Sequence, residues 1–184
     1  IDLRFSASRE LVDFMQTDFH AAVRYGGGKW PDLRAEKMLD DWVFPVTSPA
    51  LFAKLGEINT IADLNKYPLL HSASEPWVDW LRRVGGDTTR VERGPVLDDS
   101  ASLLAAAEQG HGLALARWSL VAGDLAAGRL VRPSTQSVRQ HNAYYFVAPP
   151  HNFELPKVIH FRDWLREVCK QFPPPEGEKL EPED

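Results

Sequence analysis

Asp18-Phe19-His20-Ala21-Ala22-Val23-Arg24-Tyr25-Gly26-Gly27-Gly28-Lys29-Trp30-Pro31 decides the fold, read together with Phe44-Pro45-Val46-Thr47-Ser48-Pro49. The first stretch is a short buried strand broken by a glycine turn, with Pro31 holding the loop open. The second is an apolar strand that runs into a helix start, with Ser48 as cap and Pro49 in the first turn. The same grammar returns at Glu108-Gln109-Gly110-His111-Gly112-Leu113-Ala114-Leu115-Ala116-Arg117, where a helix stops at Gly110 and a buried strand follows. Strands that alternate with helices in this way imply an α/β fold with largely parallel pairing.

Working outward, Ile1, Leu3, Phe5 and Ala7 alternate with polar residues, the period of a half-buried strand. A short helix or turn is expected over 9–15, and extended segments over 33–39 and 42–47. Thr60 caps a short helix through Asn65, and 68–71 is a short apolar strand. Ser74-Glu75-Pro76 opens a helix that carries Trp77, Trp80, Leu81 and Val84 on one face and ends at Gly85-Gly86. Residues 91–97 read as extended, 101–109 as a helix capped by Asp98-Asp99-Ser100, 119–127 as a helix closed by Gly128, and 143–148 as a strand. The last helix, 155–172, repeats Val158, Phe161, Leu165, Val168 and Phe172 at helical spacing. Residues 173–184 are proline-rich and acidic and read as a disordered tail.

Composition limits what the chain does. Hydrophobic content of 43% and charge of 26% are those of a soluble globular chain able to bury a core. The net charge of −5 argues against nucleic acid or an acidic membrane as this segment's direct partner. No apolar run approaches the roughly 18 residues of a membrane span. A single cysteine, Cys169, excludes an internal disulfide and suits a reducing cytoplasm; on the apolar stripe of its helix it reads as buried filler.

In order and spacing, the Ala-Val-Arg-Tyr-Gly strand end, the Phe44-to-Pro49 crossover, the helix–Gly110-His111-Gly112 strand and Leu125-Ala126-Ala127-Gly128-Arg129-Leu130-Val131 resemble one family. It is the effector-binding domain of LysR-type transcriptional regulators, and the likeness is greatest to the branch of glycine-cleavage activators and β-lactamase regulators. The resemblance spans residues 1–172. It implies a two-lobed, periplasmic-binding-protein-like (type 2) α/β fold with mixed, mostly parallel sheets and two crossover strands. Lobe I would hold 1–46 and 148–172, and lobe II 47–147. Ile1 matches the family's second strand, so the first strand and helix of lobe I are expected to be missing. The resemblance also implies a homodimer or tetramer, a cytoplasmic location, and DNA contact only through an N-terminal helix-turn-helix absent from this chain.

In such folds, helix N-termini and strand C-termini converge on the crevice between lobes, where free N–H groups favour an anion. The candidate ligand residues are Ser8 and Tyr25 from lobe I, and Thr47, Ser48, His71, Ser72, Trp77, Ser100, Arg117 and Trp118 from lobe II. Each has a plain alternative. Ser48 and Ser100 also read as simple caps, Arg117 as a solvated strand end, Trp77 and Trp118 as packing, and His71 as a satisfied polar group. Tyr25 stands equally for cleft contact and core edge. Aromatic, hydroxyl and cationic groups together suit a small anionic or zwitterionic effector: an amino acid, an aromatic acid or a peptide-like molecule.

Enzyme chemistry finds little support. Gly26-Gly27-Gly28-Lys29-Trp30 fails as a phosphate loop, because Trp30-Pro31 stands where a hydroxyl residue and a helix are needed. The histidines show no metal spacing, and no nucleophile elbow or activated thiol is present. No cofactor is expected. The rival from another class is a periplasmic solute-binding protein of a transporter, which would share the fold.

Overall fold

Trp42-Val43-Phe44-Pro45-Val46 is apolar at every position because both faces of its strand are covered. The computed structural model describes residues 2–8, 10–91 and 94–178. In chain order the elements are β1 (Ala22–Gly26), β2 (Arg34–Val46), α1 (Pro49–Leu55), β3 (Leu69–Ser72), α2 (Trp77–Arg83), β4 (Val96–Leu97), α3 (Ser100–Glu108), β5 (Leu113–Arg117), α4 (Trp118–Ala126), β6 (Val138–Ala148), α5 (Pro150–Phe153) and α6 (Pro156–Lys170). Short 3-10 turns at Ile61–Lys66 and Thr88–Arg90 join them. The strands bond in the order β1-β6-β2-β5-β3-β4. Parallel pairing joins β3 to β4 and β5, whereas β2 runs antiparallel to β5 and β6 antiparallel to β1. The sheet is therefore mixed, with parallel pairs among the short strands β3, β4 and β5.

Contacts divide the chain into two compact units. Among the described residues, one comprises 2–40 and 141–174, and the other comprises 41–140 and 175–178. Both divisions within 34–148 fall inside a long strand, β2 or β6. The lobe boundaries read from the sequence, 46/47 and 147/148, lie at the far ends of these crossings.

In the second unit, the two-residue period sorts each strand's side chains onto two faces. Val43, Leu69, Leu113 and Leu115 pack with Trp77, Trp80 and Leu81 of α2. Trp42, Phe44, Val46, Leu70, Ala114 and Ala116 pack with Leu103 and Ala107 of α3 and Val121 of α4. Alanines at 114 and 116 leave room for the bulky partners above them. Gly110 ends α3 at φ 77°, and a Cβ on Gly112 would stand 2.5 Å from the Pro68 carbonyl oxygen, so neither position admits a larger residue without a shift. In the first unit, Phe146, Ala148, Phe153 and Val158 form a smaller core under α5 and α6.

Several local expectations are corrected. Residues 2–8 form no strand, and Leu3 and Phe5 are 47% and 76% exposed. Alternation makes a strand only where a neighbouring ladder receives it, and among the described residues none does. Of the helix or turn expected over 9–15, residues 10–15 hold the turn, in which the Asp13 carboxylate accepts the Met15 N–H. The extended pieces at 33–39 and 42–47 are one strand. Of 91–97, only Val96–Leu97 pairs, and 92–93 lie outside the described residues, as do 1, 9 and 179–184. Residues 173–178 carry no helix or strand, but Pro175 is buried and the Glu178 N–H closes a turn onto the Pro175 carbonyl.

Phe44 is fully buried, with the Arg132 guanidinium 4.1 Å from its ring centroid. Phe44→Ala is expected to cost about 3–5 kcal/mol, read as a lower urea midpoint at unchanged slope.

Candidate functional site

β3 and β5 are parallel neighbours, so their C-terminal ends reach the same edge of the second unit, where α3 and α4 begin. A recess there is lined by Glu75, Ser100, Arg117, Leu104, Leu120 and their apolar neighbours, and it is too narrow to admit water. Glu75 comes from the turn between β3 and α2. That turn is fixed by the Ser74 N–H donating to Ser72 Oγ and by Pro76.

Asp41, the first residue of this unit, is 0% exposed. One of its oxygens accepts the backbone N–H of Trp42 and of Ser119, each at 3.0 Å, and the other accepts the Ser119 hydroxyl at 2.6 Å. A carboxylate from β2 thus caps α4, whose own leading residue Arg117 makes no side-chain cap bond. Glu75 Oε1 lies 3.0 Å from Arg117 Nε, with side-chain exposures of only 8% and 14%. The contact is a close ion pair rather than an aligned hydrogen bond. Burial pushes the Asp41 carboxyl above its ordinary range, opposed by the Ser119 and Trp42 bonds and the Arg117 charge. Burial also raises Glu75; Arg117 opposes the rise and the Asp41 charge adds to it.

Of the residues expected at the site, the structure brings Ser100 and Arg117 into one recess. Trp118 is half-buried, its ring centroid 6.2 Å from that of Phe44. Ser72 is buried and bonded within its turn. His71 is half-buried beside Gly94. Trp77 is packing: it is 1% exposed, its indole N–H donates to the Leu70 carbonyl, and its edge meets Trp80. Thr47 and Ser48 lie by the opposite end of β5 from Arg117, because β2 runs antiparallel to β5. The Thr47 hydroxyl donates to the Gly112 carbonyl, and Ser48 caps α1 by accepting the Leu51 N–H. Tyr25 packs on Tyr144 in the first unit, and exposed Ser8 accepts the Glu10 N–H. Asp41 and Glu75 escaped the sequence reading, although an acid at the head of an apolar run is the signal of a buried, partnered carboxylate.

Residues 1–170 match the LysR substrate binding domain family. The chain belongs to that family. The LysR-type relatives include the glycine cleavage system transcriptional activator of Escherichia coli K12, 37% identical over 166 residues that cover 90% of this chain and 54% of the relative. The transcriptional activator AmpR of Pseudomonas aeruginosa is 31% identical over 171 residues, 92% of this chain and 56% of that protein. The effector domain of AmpR from Pseudomonas aeruginosa superposes at TM-score 0.77 and 29% identity, covering 92% of this chain and 82% of that one. The chain spans about half the length of the curated LysR-type relatives it matches. These relatives are transcriptional regulators, not enzymes. Among the described residues, no helix is long and apolar enough to cross a membrane, and no group of three or more His, Cys, Asp or Glu is placed to hold a metal.

Two outcomes are expected of the Asp41 clamp. Asp41→Ala strands three donors, two from Ser119 at the head of α4 and the Trp42 N–H on β2, and should cost about 2–4 kcal/mol, against about 1 kcal/mol for Ser119→Ala, by urea denaturation. Because burial raises both carboxyls, the folded chain binds more protons than the unfolded one between the ordinary carboxylate range near about 4 and the raised folded values. Across that window these two groups make stability fall as pH rises. The gain on acidification is complete once pH is below the unfolded values. The difference in stability between wild type and Glu75→Gln, measured against pH, should show this slope.

Proposed function

We propose that this LysR effector-binding domain senses a small anionic or zwitterionic metabolite for a transcription factor. The ligand would enter between lobe I (1–46 and 148–172) and lobe II (47–147) and bias the lobe arrangement by its differential affinity. That bias would pass to DNA through a helix-turn-helix outside this chain, within a homodimer or tetramer in the cytoplasm. The domain itself catalyses nothing. The observation that carries this reading is the meeting of Ser100, Arg117 and the first turns of α3 and α4 at the C-terminal ends of β3 and β5. Backbone N–H groups, a hydroxyl and a guanidinium at such an edge suit a carboxylate-bearing ligand. Ser8, Tyr25, Thr47, Ser48, His71, Ser72 and Trp118 remain the further candidates, with Trp77 acting as support behind them. Transcriptional activators among the relatives favour a regulator over a transport protein.

Calorimetry with amino acids, aromatic acids and short acidic peptides tests this reading. Saturable binding by one class is expected, weakened about 10–100-fold in Arg117→Ala. No binding by any class, or binding indifferent to Arg117→Ala, would overturn it.

A further inference from the structure

Pro173-Pro174-Pro175-Glu176-Gly177-Glu178 follows the last helix: three stiff residues, then two acids around a glycine. Consecutive prolines hold an extended path and leave little conformational freedom to lose on docking. Gly177 adopts φ 87°, the left-handed value that suits the third position of a turn, and the Glu178 N–H donates to the Pro175 carbonyl at 3.0 Å. The segment therefore ends in a compact turn that carries Glu176 and Glu178.

This turn does not belong to the unit of the helix that precedes it. Pro175 is buried, and residues 175–178 group with 41–140, whereas α6 groups with 2–40. Among the described residues the chain thus passes between the units at 40/41, at 140/141 and again at 174/175. The first two passages lie inside β2 and β6, where strand backbone holds them. The third has no helix or strand, so its hold comes from side chains.

On the second unit, the charge that answers the turn is Arg132. Its guanidinium carbon stands 4.1 Å from the centroid of the buried Phe44 ring. Nη2 reaches the Thr135 carbonyl only at 3.5 Å, and the buried Nε–H has no hydrogen-bond partner among the described residues. The half-buried cation has given up water and received little in exchange. Burial pushes the guanidinium below its ordinary value, and the charges of Glu178 and Glu176 oppose that fall. Glu176 is exposed and Glu178 half-buried, so both acids return to water at little cost when the turn leaves.

We propose that Pro175–Glu178 is a latch: Pro175 seats it on the second unit, Glu176 and Glu178 supply the countercharge of Arg132, and the seated turn makes the chain after α6 a third, releasable link between the units. A link held by charge lets go without unfolding either unit, and salt weakens it. The latch uses no residue of the recess at Ser100 and Arg117, so it stands or falls apart from the effector reading.

The test measures exchange of the Glu178 amide hydrogen by NMR in the 184-residue chain, each rate taken relative to the intrinsic rate of its own sequence. Glu176→Gln combined with Glu178→Gln should lower protection about twofold to fivefold. Wild type at about 1 M potassium chloride should lose protection to a similar degree. In folded Arg132→Met, whose side chain still covers Phe44, the two glutamine substitutions should change nothing further. Equal losses in the presence and absence of Arg132 overturn the pairing, as does protection in wild type that ignores salt. The link is read by electron spin resonance distances between labels at Lys54→Cys and Glu167→Cys in a Cys169→Ser background. Glu176→Lys with Glu178→Lys, which turns attraction to Arg132 into repulsion, should broaden the distance distribution. An unchanged width overturns the link.

Discussion

The Asp41 carboxylate, buried mid-way along β2 where its apolar half begins and bonded to the first turn of α4, is the constraint on which the second unit depends. An ionised acid without solvent requires donors, and three arrive from Trp42 and Ser119. Meeting that need fixes the start of α4 against β2, across 78 residues of sequence. Arg117, the residue between β5 and α4, is fixed with it. The geometry of this edge is thus set by a polar bond at the margin of the core, not by the core itself.

Packing and polarity divide the work in this unit. Leu113 and Leu115 face α2, and Ala114 and Ala116 face α3 and α4, so one short strand serves two cores. Burial on both faces stabilises the sheet but leaves no specific direction for a ligand. Direction comes from the strand ends, where helix N-termini and the Arg117 charge meet. The glycines at 110 and 112 make the return from α3 to β5 tight enough for this, one by its left-handed backbone and the other by its closeness to Pro68.

Much of this was legible from residue spacing. Gly110, Gly128 and the Ser48-Pro49 start mark helix ends correctly because caps and stops depend on near neighbours. Ser100 and Arg117 share one recess because they stand at element ends, and ends meet at one edge of a parallel pair. The alternation at Ile1, Leu3, Phe5 and Ala7 misled, since a strand needs a partner ladder that no local pattern supplies. Asp40-Asp41 looked like a polar gap between two extended pieces. It is the midpoint of one strand, with one acid turned to Lys37 and the other buried.

By itself the sequence determined the order and type of most elements, the α/β class, and the family through the joint spacing of its turns. Those properties follow from sterics and hydrophobic period within a few residues. Only the tertiary structure decided that Glu75 would face Arg117, that Asp41 would cap a helix it never adjoins, and that Trp77 would turn inward while Thr47 and Ser48 stand at the other end of β5. These are relations between distant segments, set by strand direction and by the free energy of burying charge, and no spacing along the chain encodes them.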